Sequence, residues 1–290
     1  MNEQEAQLNN TNTEATREVH TTESSGHEHT LYAEEIFNIG GFPITNSLIN
    51  SWIMILIVII MGFVLRAKIS LVPKGIQNIF EVVIDEFLEI FDSITGSRKR
   101  TMLFFPLVFT FFIMILINNW LGILPGVGSI GFMATENGTR TFVPFFRGGT
   151  ADLNTTLALA LIGVIVSHIF GIITLGAWSY FNKFINIKAI LEIPKKVMKD
   201  PSVLIVNPIK LFVGFIEIIS EIAKIISLSF RLFGNIFAGE VLLASMAAIF
   251  AFGLPIPFIF MEILVGLIQA LIFAILILIY LTVMTSHEEH

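Results

Sequence analysis

Residues 208–252 read PIKLFVGFIEIISEIAKIISLSFRLFGNIFAGEVLLASMAAIFAF, a mostly apolar run that nevertheless carries Glu217, Glu221, Lys224, Arg231 and Glu240. One helical crossing of a bilayer takes about 20 residues. As a single helix this run would be about 65 Å long, roughly twice the hydrocarbon thickness. It is therefore expected to be strongly tilted, bent or broken, with Gly234 and Gly239 marking places to bend. Gly253, Pro255 and Pro257 then signal a turn, and the apolar run 256–283 returns, so 208–283 reads as a long helical hairpin.

Outward from that hairpin, three more runs are long and apolar enough to cross: 46–65, 102–124 and 153–178. The fold class that follows is all-α and polytopic, with five membrane segments. Composition agrees: 54% of residues are hydrophobic and 14% charged, against roughly 25% charged in ordinary soluble domains. The chain has no cysteine, which excludes disulfides, thiol catalysis and cysteine-based metal sites. There is no basic surface for nucleic acid and no Gly-rich phosphate loop for ATP chemistry. Residues 1–36 read as a disordered acidic tail and not a signal peptide, and 37–290 as one membrane domain. His27-Glu28-His29 belongs to that tail and reads as exposed chain.

Basic residues set the expected orientation. Arg66, Lys68, Lys74, Arg98, Lys99 and Arg100 flank the first-to-second connection. Lys183, Lys188, Lys195, Lys196, Lys199 and Lys210 flank the third-to-fourth, whereas only Arg140 and Arg147 lie between the second and third. By the positive-inside rule the N-terminus is expected outside and the C-terminus in the cytoplasm. Residues 74–94 have helical amphipathicity, with Ile76, Val83, Phe87, Phe91 and Ile94 on one side and Glu81, Asp85, Glu89 and Asp92 on the other. That pattern predicts an interfacial helix whose acidic face meets another protein, being the wrong sign for anionic lipid.

The charges in 208–252 are not scattered. On a helix Glu217, Glu221, Lys224, Arg231 and Asn235 fall within about 40° of Glu217, with Ser227 beside them, while Glu240 falls about 140° away. Charge inside a membrane is costly, by about 2.5–3.5 kcal/mol per group on insertion scales. Glu221 and Lys224, three residues apart, read equally as a self-neutralising pair and as part of a path. Arg231 has no anionic residue one helical turn away and cannot shed its charge, so its counter-charge is expected from another helix or another chain. On 256–283 Glu262, Gln269 and Tyr280 share a second stripe. Segment three begins with Asp152, Asn154, Thr155 and Thr156 and carries His168 further along, either a packing residue or a pore group. Two titratable clusters thus lie at different depths with one permanent cation between them. A fixed central charge blocks free cations, so something outside this chain has to carry the ion past Arg231, most simply a mobile partner bearing a carboxylate.

The run Ser229-Phe230-Arg231-Leu232-Phe233-Gly234-Asn235-Ile236-Phe237-Ala238-Gly239-Glu240 resembles the signature of subunit a of the rotary F-type ATP synthase. The stretches 119–125 (NWLGILP), 151–156 (ADLNTT) and 269–273 (QALIF) are similar to the same family, which covers about 40–290 in order. The resemblance implies a non-catalytic stator subunit of the membrane F0 sector that loads and unloads protons on c-ring carboxylates through two half-channels, coupling ion flow to rotation and ATP synthesis. It implies that Arg231 faces the c-ring and that Asn235, Glu240, Glu262 and Gln269 line the path, with Asp152 and Asn154 at the outer entrance. Glu217, Glu221, Lys224 and Ser227 would form the inner exit, with His168 nearby. Glu262 stands where some members have a histidine, and is expected to face Glu240 and share a proton with it. Implied partners are the c-ring, the subunit b stalk and the lipid bilayer, in a hetero-oligomer holding one copy. The implied location is a bacterial plasma (inner) membrane. No cofactor or metal is implied; the transported ion is H+ or Na+. A self-contained secondary transporter would be expected to show repeat-related halves, and an intramembrane hydrolase a metal or nucleophile constellation; neither is present in the sequence.

Overall fold

The computed structural model of the chain describes residues 33–67, 69–70, 75–124, 127, 130–136, 139–185, 203–250 and 253–286. Most of the acidic tail, part of the basic loops and the last four residues lie outside them.

Seven helices carry the described fold: α1 Asn46–Ala67, α2 Ile76–Thr95, α3 Arg98–Ile123, α4 Leu153–Leu175, α5 Ala177–Ile185, α6 Val203–Ile249 and α7 Pro255–Thr285. Five are long and apolar enough to cross a membrane: α1, α3, α4, the Phe212–Ile249 part of α6, and α7. The chain is a multi-pass membrane protein. Two antiparallel hairpins, which the helical reading of the sequence does not include, sit at one end of the bundle. They pair β1 (Glu35–Ile39) with β2 (Phe42–Thr45), and β3 (Gly131–Glu136) with β4 (Thr139–Pro144). β1 starts inside the stretch read as tail.

Helix α7 lies at the centre, against α3, α4 and α6. Its buried face is Ala270, Phe273, Ala274, Ile277, Leu278 and Leu281, which meets Phe104, Val108, Phe111 and Ile115 of α3, Ala160 and Val164 of α4, and Leu228, Leu232 and Ile236 of α6. Small residues allow the approach: a Cβ at Gly163 would lie 2.3 Å from Cδ1 of Ile277. Helix α1 is peripheral and exposes Ile55, Leu56, Ile59, Ile60 and Phe63, as a lipid-facing helix does.

The amphipathic helix forms where the periodicity placed it. Phe87 and Phe91 are buried against α3, with Phe87 4.4 Å from Phe112 between ring centroids, while Glu81, Asp85 and Glu89 remain exposed. One expectation needs correction and another is narrowed. Segment three does not run helically to Trp178: α4 stops at Leu175 because Gly176 takes φ 81°, a left-handed value that favours glycine, and α5 sets off in a new direction. Of the alternatives for the long fourth segment, tilted, bent or broken, the structure removes the break. Helix α6 is continuous over 47 residues, through Gly234 and Gly239.

Candidate functional site: two polar clusters around Arg231

Helix α6 buries Leu228, Leu232 and Ile236 in the bundle, which turns the opposite face outward. Arg231 is on that uncovered face with Ile222, Ile226, Ser227, Phe230 and Asn235. Its Nη2 donates to Ser227 Oγ at 3.4 Å, and no carboxylate among the described residues lies within ion-pair distance of it. One turn on, Asn235 Nδ2 donates to Gln269 Oε1 at 2.6 Å, joining α6 to α7 at the level of the arginine. The Gln269 Nε2 group is buried and makes no hydrogen bond among the described residues.

Towards the α5 end the sequence-predicted residues gather closely. Lys224 Nζ donates to Glu221 Oε1 at 2.6 Å, and His168 Nε2 lies 3.5 Å from Glu221 Oε2. The other imidazole nitrogen, Nδ1, is hydrogen-bonded to the Tyr180 hydroxyl, which also donates to Met284 Sδ at 3.6 Å. His168 thus lies beside the Glu221–Lys224 pair, tied to Tyr180 through its other nitrogen. Tyr180, on α5, is the residue that sequence reasoning missed here, because the turn at Gly176 is what folds it back onto α4. Burial, then the charges of Glu221 and Glu217, push its hydroxyl up to about 12, so it stays protonated. Lys224 also sits 5.1 Å from the centroid of the Tyr280 ring. Glu217 is half-buried one turn further along α6.

The hairpin end differs from expectation. Glu240 and Glu262 do not form a hydrogen-bonded pair. Glu240 Oε2 is 3.4 Å from Nε of Arg147, with the two side chains 17% and 8% exposed. Arg147 was legible only as a loop charge, since 93 residues separate the partners. Glu262 is buried against the backbone of Gly239, where a Cβ would lie 2.3–2.6 Å from its carboxyl atoms, and has no hydrogen bond or ion pair among the described residues. Gly239 is therefore a seat for this carboxyl.

Asp152 serves as the cap of α4, accepting from the Asn154 backbone N–H at 3.1 Å, from Thr155 Oγ1 at 3.4 Å and from Ser47 Oγ of α1 at 3.1 Å. It makes no hydrogen bond with Glu240 or Glu262 among the described residues, and Asn154 is exposed. A polar network that sequence reasoning passed over surrounds it. Asn50 Nδ2 donates to Asn118 Oδ1 at 3.2 Å, Thr150 Oγ1 donates to Asn119 Oδ1 at 2.7 Å, and Asn119 Nδ2 donates to the Gly266 carbonyl at 3.1 Å. The hydroxyls of Thr156 and Ser229 lie 3.2 Å apart, which brings this network onto α6 two residues before Arg231. The signal was present in Asn118-Asn119, two adjacent amides inside an apolar crossing helix.

The arrangement offers polar groups at both ends of the bundle, meeting at an outward-facing guanidinium. Comparison with known proteins bears on what such a site does. Residues 48–282 match the model of the family described as ATP synthase A chain. A protein of Syntrophobacter fumaroxidans named ATP synthase subunit a is 33% identical, over 90% of this chain and 93% of its own. The protein of that name from Moorella thermoacetica is 30% identical over 85% and 94%, and that from Mycobacterium bovis 35% over 85% and 89%.

Proposed function

The chain belongs to the ATP synthase A chain family, and from that premise we propose that it is the ion-translocating stator subunit of an F-type ATP synthase, in a bacterial plasma membrane beside a c-ring and the subunit b stalk. Ions enter at the hairpin end, among the polar groups around Asp152 and Asn154, pass Glu240 and Glu262, and load a ring carboxylate at the uncovered face of α6. After nearly a full turn of the ring, the carboxylate discharges past Ser227 into the cluster of Glu217, Glu221, Lys224 and His168. The driving work is about 2.3 kcal/mol per charge per 100 mV of membrane potential. The subunit catalyses no covalent step itself; it supplies charge and a path.

The observation that carries this reading is Arg231: a permanent cation, exposed on the uncovered face of α6, without a carboxylate of its own among the described residues, between two polar clusters. A cation with no partner inside its chain is stable in a membrane if the counter-charge arrives from outside. A ring carboxylate supplies that, and its deprotonated form is the one attracted. The same charge separates the clusters and prevents a short circuit.

The test is Arg231→Ala in the assembled complex in inverted vesicles. ATP-driven pumping should be abolished while passive proton leak through the membrane sector rises. Arg231→Lys should keep the leak low yet fail to support normal coupling, since an ammonium keeps the charge without the fixed fork. An assembled Arg231→Ala complex that is leak-free and still coupled would sink the proposal.

A further inference from the structure

The segment between β4 and α4, Phe145-Phe146-Arg147-Gly148-Gly149-Thr150-Ala151-Asp152, is built as a strap across the hairpin end. It is fastened to α3 by the Gly149 N–H donating to Asn118 Oδ1 at 3.0 Å and by Thr150 Oγ1 donating to Asn119 Oδ1 at 2.7 Å. It is fastened to α1 by Asp152 accepting from Ser47, and the end of β4 just before it is held by Asn46 Nδ2 donating to the Pro144 carbonyl at 3.4 Å. The fit is close: a Cβ at Gly122 of α3 would lie 3.0 Å from Cα of Gly148, and one at Gly148 would lie 3.1 Å from Oε1 of Glu240. The strap thus presses backbone against the Glu240 carboxylate and sends one side chain, Arg147, across to it.

From this geometry we propose that Arg147 is a positioning residue of the ion path, which holds the Glu240 carboxylate from the strap and sets the pH range over which that carboxylate exchanges protons. The inference rests on the reading of Glu240 as a path residue. The charged residues on the elements at this end are Arg147 and Asp152 of the strap, Glu262 of α7, Glu34 and Glu35 by the first hairpin, and Glu136 and Arg140 of the β3–β4 hairpin; the ion pair that the structure gives Glu240 is with Arg147. An arginine keeps its charge at every working pH, and at this burial the pair is little screened. The two carboxyls of the outer path thus stand in unlike settings: Glu240 beside a fixed cation, Glu262 against glycine backbone with no charged contact.

The experiment compares Arg147→Gln and Arg147→Lys with the parent protein in assembled complexes. Passive proton flow through membranes stripped of the soluble sector is recorded against pH. In Arg147→Gln the pH of half-maximal flow should rise by about one unit or more, because a carboxyl without its neighbouring cation gives up its proton less readily. Arg147→Lys should stay with the parent. If Arg147→Gln fails to accumulate, Arg147→Gln with Glu240→Gln should accumulate, since no carboxylate is then left buried unpaired. A Gln profile that superimposes on the parent overturns the proposal. So does a Lys profile displaced as far as the Gln one, or failure of the doubly neutral variant to accumulate. Arg231→Ala reads the underlying function separately: coupling lost there with no displacement at Arg147 removes only this inference.

Discussion

Placing a methyl group at residue 239 probes the least expected contact of the hairpin end. A Cβ there would sit 2.3, 2.4 and 2.6 Å from Oε2, Cδ and Oε1 of Glu262, where ordinary contact begins at 3.4 Å. In Gly239→Ala the carboxyl therefore has to retreat by about 1 Å. The moving atoms are the end of a flexible side chain, so the cost in stability falls at the low end of the roughly 1–3 kcal/mol typical of overpacking, and the complex should assemble. Transport should suffer more. Misplacing a reacting group by about 1 Å costs up to roughly a hundredfold, and a loss of about ten- to a hundredfold in ATP-driven proton pumping per assembled complex is expected. A pH-sensitive dye in inverted vesicles, normalised to the amount of complex in the membrane, measures it. Shortening the partner by one methylene should reverse the effect, so Gly239→Ala with Glu262→Asp should pump faster than Gly239→Ala alone. Unchanged pumping in Gly239→Ala would refute Glu262 as a path residue seated on this glycine. Failure of the aspartate to help would refute the steric account.

Two further outcomes are expected. Asn235→Ala removes the hydrogen bond to buried Gln269, whose Nε2 already makes none. The cost should be about 1–3 kcal/mol, read as a lower melting temperature of the purified complex. Gln269→Ala added to it should cost less than the sum of the two single changes, and strict additivity would show that the contact carries no coupling. Cysteines at Asp85 and Glu89, both exposed on α2, should react with a membrane-impermeant reagent from the cytoplasmic face alone; labelling from the outer face would overturn both the interfacial placement of α2 and the proposed orientation.

The crossing helices, the amphipathic α2 and the stripe from Glu217 to Asn235 were determined by the sequence alone. Each rests on information that is local along the chain. A helix satisfies its own backbone hydrogen bonds, so an apolar run of sufficient length crosses wherever it stands, and a spacing of 3.6 residues puts Glu221, Lys224 and Arg231 on one side whatever packs nearby. The lack of an anion one turn from Arg231 is likewise a local fact, and it survives in the structure. Who meets whom between elements was decided only by the tertiary structure. Two carboxylates at similar depth, Glu240 and Glu262, suggested a proton-sharing pair, but helix rotation and the strap gave Glu240 to Arg147 across 93 residues and seated Glu262 on Gly239. Tyr180 reaches His168 because Gly176 reverses the chain, and Asn50, Asn118 and Asn119 gain partners because α1, α3 and the strap converge at one end. Side chains buried between helices take the partner that close packing places beside them, and packing is a property of surfaces brought together in space, on which spacing along one chain is silent.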